Sequence, residues 1–200
     1  MKVHANGDAA VDQLFTALRP VVAKDGVKPG QTLLVHGQFI RPEQVKELKS
    51  LGIFPSMFPM HTFYWGDWYE QIVGPEQAAQ ISPMRSILNT GLHATSHTDA
   101  PVALPNLMQV VWATVNRTSR SGTIIGPDER VTPYEAMKMI TLWGAEQFGE
   151  QATKGSLEPG KLADMVILSD NPLTIDPMKI NKIVVLETIK EGKTVYKRRQ

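Results

Sequence analysis

The chain carries five histidines and no cysteine, so any metal it binds must be held by imidazole and carboxylate rather than thiolate. The stretch with the most such groups is 91–101, where Leu92, Ala94 and Ser96 alternate with His93, Thr95 and His97, and Asp99 follows. A period of two places His93 and His97 on one face of a strand. Asp99-Ala100-Pro101 then forces a turn, because proline restricts the residue before it. In an α/β barrel the C-terminal ends of the strands carry the chemistry, so a histidine and an aspartate at such an exit suit a metal or a general base. The competing reading is that Asp99 only caps the helix that follows.

Two earlier strands also end on histidine, His4 and His36. A closed barrel brings His4, His36 and Asp99 onto one rim, and neutral imidazoles with a carboxylate suit a divalent metal such as zinc. Each is equally at home as a hydrogen-bonded rim residue. His61 lies one strand exit further round, placed to orient or polarise a substrate carbonyl or simply to satisfy its loop. Trp65, with Tyr64 and Trp68, either walls an apolar pocket or packs beneath a long excursion. His97 reads as a substrate contact or as a partner orienting a ligand, and His93 as buried structure.

These residues need a scaffold of alternating strands and helices. A short strand at 1–4 leads through Gly7 and Asp8 into a helix over 9–24, with Val11, Leu14, Phe15 and Leu18 on one stripe and Pro20 expected to kink or end it. A second strand spans 31–35, a helix 41–51 has Pro42 in its first turn, and a third strand spans 53–58. An aromatic loop over 63–69 precedes a helical stretch at 75–89 that Ser82-Pro83 punctuates. The fourth strand is the stretch ending at Asp99. Helices are expected at 107–116 and 133–149, a strand at 163–168, and a hairpin at 183–196 turning at Glu191-Gly192-Lys193. Strand–helix alternation with a His or Asp at each exit is the pattern of a βα barrel segment.

Two hundred residues suffice for one large domain or somewhat more. With 21 basic and 20 acidic side chains there is no field that favours nucleic acid, and Lys197-Arg198-Arg199 reads as a solvated tail. No segment approaches the roughly 20 apolar residues that span a bilayer, and none resembles a signal run, so the expected setting is soluble and cytoplasmic. The turn Ser121–Gly126 lacks the Lys-Ser/Thr ending of a phosphate-binding loop.

His4-Ala-Asn-Gly-Asp8, the strand ending in His36, Pro59-Met-His61, Gly74-Pro-Glu-Gln-Ala, Asp99-Ala-Pro-Val102 and Lys154-Gly-Ser-Leu-Glu-Pro-Gly-Lys-Leu-Ala-Asp164 together resemble the C-terminal part of the amidohydrolase superfamily. The branch resembled is amidohydrolase family 3, which contains N-substituted formamide deformylase-like enzymes. The resemblance implies the C-terminal half of an eight-stranded barrel over 1–152 and a β-sandwich segment over 153–200. It also implies one or two divalent metals, zinc foremost, on His4, His36 and Asp99, with Asp99 shuttling the proton during hydrolysis of an amide-type C–N bond. His61, Trp65 and His97 are the expected substrate contacts for a small-molecule amide.

Two departures stand beside the resemblance. His97-Thr98-Asp99 replaces the usual Gly-Ser-Asp, and the family's first-strand His-x-His pair and fourth-strand lysine would precede Met1. A half-barrel exposes sheet edges that closure removes. The expectation is therefore that an N-terminal half or a second copy completes it, or that the chain is a non-catalytic remnant acting only by association.

Overall fold

A computed structural model describes residues 1–199. Its frame is a parallel sheet of β1 (Lys2–Ala5), β2 (Thr32–His36), β3 (Ile53–Met57) and β4 (Thr95–Ser96), in that spatial order. Parallel strands are buried on their helix-covered side and need crossovers. Accordingly Leu33, Leu34, Ile53 and Met57 are buried, and a helix follows each of the first three strands. The register sets Ala5 opposite His36 and His36 opposite Met57, so the strand ends are level. β4 is only two residues long, and the ladder continues for one bond as the His97 N–H donates to the Met57 carbonyl at 3.0 Å.

α1 (Asp8–Asp25) buries Val11, Leu14 and Phe15 on the sheet, each worth about 1.5–3 kcal/mol. It runs on past Pro20, contrary to the expected break. The carbonyl that proline leaves without a donor belongs to exposed Thr16, where water can replace the bond. α2 (Pro42–Ser50) begins on its proline and buries Val45 and Leu48.

The aromatic stretch expected as a loop is helix, α3 (Met60–Val73). Gly66 permits close packing within it: a Cβ there would meet Ile125 Cγ1 at 2.7 Å. The 75–89 stretch divides into α4 (Pro75–Ala79) and α5 (Met84–Asn89), with Ser82 between them at φ 48.

α6 (Leu107–Asn116) is buried over most of its length. The helix expected at 133–149 is two, α7 (Pro133–Met139) and α8 (Leu142–Gln147). At the break the Thr141 hydroxyl donates to the Met137 carbonyl at 2.7 Å, and the backbone tightens to i→i+3 bonds.

A second, antiparallel sheet joins β5 (Met165–Leu168), β6 (Val185–Lys190) and β7 (Lys193–Lys197) in chain order. Glu191 (φ 50) and Gly192 (φ 77) form its hairpin turn, where positive φ at both positions matches the strand twist. Among the described residues this region is a single sheet, not two packed sheets. A 3₁₀ segment, Pro177–Lys182, ties it to the first unit: Trp112 Nε1 donates to the Met178 carbonyl at 3.1 Å, and Ile180 and Ile183 join the main core. No described helix is long and apolar enough to cross a membrane.

Candidate metal centre

The C-terminal ends of the four parallel strands gather imidazoles. His36 ends β2 in a left-handed conformation (φ 78), and Asp99 follows β4 in another (φ 53). Such backbone geometry is costly for a side-chain-bearing residue and concentrates at functional sites. His36 Nε2 lies 3.9 Å from Asp99 Oδ1, too far for a hydrogen bond, with the His36 side chain 4% and the Asp99 side chain 35% exposed. The His97 ring sits 4.9 Å from that of His36 and stacks on Phe58 at 5.4 Å. Ligand atoms of His36, His97 and Asp99 all lie within 4.8 Å of one another.

The remaining expected residues surround this set. His4, at the end of β1, is exposed and meets His36 edge-on, ring centroids 4.6 Å apart. It stands beside the group of three rather than within it. His61, in the first turn of α3, is buried 5.6 Å from His36, and its Nδ1 is 3.2 Å from Ser82 Oγ. Trp65 lies one turn further along α3, its ring 6.0 Å from His61. His93 is not the buried residue expected. Half-exposed, its ring stacks on Trp143 at 4.6 Å and pairs with Glu146 at 2.6 Å, at the other end of β4.

Burial shapes the electrostatics. It lowers the His36 pKa, opposed by Asp99 and reinforced by His4. It brings His97 to about 4, with His36 acting the same way and Asp99 against it. It brings His61 to about 3, helped by His36, His97 and His4. All three rings are therefore neutral near pH 7, the form that binds a cation.

The donor set suits a divalent ion on a separate ground. His36 Nδ1 and His97 Nε2 are buried without a hydrogen-bond partner, and so is Asn6 Oδ1 immediately beyond β1; Gln38 Nε2, two residues beyond β2, is also unpartnered but as an N–H donor is not a cation ligand. Buried polar atoms without a partner are rare, and a concentration of them at one rim calls for a ligand. Two ligands about 2.1 Å from a zinc ion are at most about 4.2 Å apart. The three groups, within 4.8 Å of one another, stand slightly wider than that, so an ion would draw them together.

Sequence reasoning missed Phe58, Ser82, Asn6 and Gln38. Asn6 and Gln38 had a usable signal in their positions next to the strand exits. Phe58 and Ser82 had none, since their roles arise from tertiary contacts.

A parallel βα sheet that gathers imidazole and carboxylate at its strand ends defines a class of α/β proteins whose rim offers donors to a divalent ion. Comparison with known proteins makes the assignment narrower. The model of the amidohydrolase family matches residues 1–196. An N-substituted formamide deformylase of Arthrobacter pascens is 27% identical over 199 residues, covering 99% of this chain and 36% of that protein. Protein LONG AFTER FAR-RED 3 of Arabidopsis thaliana is 30% identical over 196 residues, covering 97% of this chain and 33% of that protein. Among solved structures, an uncharacterized metal-dependent hydrolase from Pyrococcus horikoshii superposes with a TM-score of 0.72 at 22% identity, covering 88% of this chain and 35% of that one. An amidohydrolase from Thermotoga maritima gives 0.67 at 20% identity, covering 98% and 43%.

The chain belongs to the amidohydrolase family. It spans about a third of the length of the curated relatives it matches.

Proposed function

We propose that this chain is the part of a metal-dependent hydrolase, acting on non-peptide, amide-type C–N bonds, that carries the later strands of a barrel (1–152) and a β-sandwich segment (153–200). The observation that carries the reading is the group His36, His97 and Asp99, with its orphaned buried nitrogens at one strand-end rim. His36 and Asp99 would hold the ion, with His4 and His97 flanking it as the nearest further imidazoles. When bound, a divalent ion such as zinc supplies a water that ionises near neutral pH and a positive charge facing a developing oxyanion. The Asp99 carboxylate, partly exposed at the rim, would take a proton and return it to a leaving nitrogen. Phe58 and Trp65 make an apolar wall against His61 and His97.

The small-molecule substrate class is that of the deformylase relative's name, and an N-substituted formamide is the first compound to test. The exposed inner side of β1 and the two-residue β4 support completion of the barrel by an N-terminal half or by a second copy. The cytoplasm is the setting proposed. A second reading, a non-catalytic remnant acting by association, is favoured by one observation: only three ligand groups cluster among the described residues.

Isothermal titration of zinc into the purified chain tests the site, with His36→Ala and Asp99→Asn as comparisons. Binding that both substitutions abolish is expected, and binding indifferent to them would overturn the reading. Formate release from an N-substituted formamide separates the hydrolase from the remnant. Light scattering on the eluted chain tests self-pairing, which a stable monomer would refute.

A further inference from the structure

Arg117 is a buried cation that the chemistry above leaves unused. It caps the C-terminus of α6 in a left-handed conformation (φ 51) and is 1% exposed, and its side-chain hydrogen-bond partners among the described residues are all backbone carbonyls. Its guanidinium donates instead to four backbone carbonyls: Ile125 at 2.7 Å, Ile81 at 2.8 Å, Ser82 at 3.1 Å and Ala79 at 3.2 Å. Three of these lie in the turn at 79–82 between α4 and α5. A planar fork holding several carbonyls fixes that turn as a point charge would not.

Ser82 is where the turn meets the rim. Fully buried and left-handed, it donates its N–H to the Gln38 carbonyl at 2.9 Å, two residues beyond His36. Its hydroxyl has two partners at 3.2 Å, the Phe58 carbonyl and His61 Nδ1. A serine hydroxyl has one proton, and a carbonyl can only accept. The Ser82 proton therefore goes to Phe58, and the contact with His61 is an Nδ1–H donating to Ser82 Oγ. On a neutral ring this leaves the lone pair on Nε2.

We propose that Ser82, anchored by Arg117, is a positioning residue that fixes His61 as its Nδ1–H tautomer, with Nε2 as a hydrogen-bond acceptor. Resting on the hydrolase reading, this names the substrate class more closely: an amide that carries an N–H, which Nε2 accepts. It also departs from the expectation that His61 polarises a carbonyl, because a lone pair cannot donate to one.

The test is two-bond proton–nitrogen correlation spectroscopy on the metal-free chain labelled at histidine nitrogen. Wild-type His61 is expected as a single Nδ1–H tautomer. Ser82→Gly relieves the left-handed strain, which offsets part of the loss of two buried hydrogen bonds, so the variant is expected to unfold cooperatively on heating yet to lose the single tautomer. A merely structural Ser82 would leave the tautomer intact, and that result, or an Nε2–H form in the wild type, would overturn the proposal. Arg117→Lys keeps the charge without the fork and is expected to produce the same loss, and a wild-type spectrum there would remove Arg117 from the device. Titration with N-methylformamide is expected to shift His61 Nε2, and N,N-dimethylformamide is not; equal responses, or none, would overturn the substrate assignment. The tautomer is read without metal, so failure of zinc binding would strike the hydrolase reading alone.

Discussion

Gly126→Ala is the sharpest probe of how the turn at 79–82 is held. A Cβ built on Gly126 falls 1.8 Å from the Ala79 oxygen and 2.6 Å from its carbonyl carbon. Carbon and oxygen settle at about 3.3 Å, so the two backbones would have to part by about 1.5 Å. The Ala79 carbonyl cannot yield freely, because Arg117 holds it at 3.2 Å and holds its neighbour Ile81 at 2.8 Å. Gly126 is also left-handed (φ 59), which costs alanine about 1–2 kcal/mol. Overpacking adds about 1–3 kcal/mol, for a total of about 2–5 kcal/mol. Gly149 supplies the control: its φ is 71 and nothing lies within 4 Å of its Cβ position, so Gly149→Ala carries only the conformational cost. Urea unfolding of both variants measures the difference. Equal destabilisation, within about 0.5 kcal/mol, would refute the claim that a close backbone approach at Gly126 supports the turn.

Other outcomes follow from the same geometry. Replacing either His36 or Asp99 is expected to weaken zinc binding by more than the roughly 10–100-fold typical of residues behind the ligands, while His93→Ala leaves the titration unchanged. Glu135 pairs with Arg85 at 2.6 Å, and that hydrogen bond holds its carboxyl at about 2, below the ordinary 4.5. A depressed folded-state pKa gives stability that is present above about 4.5 and is lost as pH falls toward about 2. The melting temperatures of wild type and Glu135→Gln should therefore differ near neutrality and converge through that window. Trp112→Phe deletes the bond to the Met178 carbonyl and is expected to cost about 1 kcal/mol, read as faster amide exchange in 177–182.

The rim was legible because it follows from strand periodicity. Histidines at the ends of two strands and an aspartate after a third announce themselves once the alternation is seen, and parallel register then levels them. The grouping within the rim was less legible. His97 joins His36 and Asp99 because β4 ends at Ser96 and the chain turns at once, a detail of strand length that composition does not encode. The aromatic helix α3 escaped because the contact that accommodates it, Ile125 against Gly66, is far off in sequence. Ser82 and Arg117 escaped for the same reason: they meet across 35 positions, and neither residue type marks a site by itself.

The order β1-β2-β3-β4 in space repeats the order of synthesis. Each newly made strand finds its neighbour already waiting, so the unit can assemble vectorially as it leaves the ribosome. The rim closes last, when Asp99 arrives, and until then the imidazoles already gathered there lack their carboxylate. The donors of the rim thus come together midway along the chain, before α6 and the antiparallel sheet have been made.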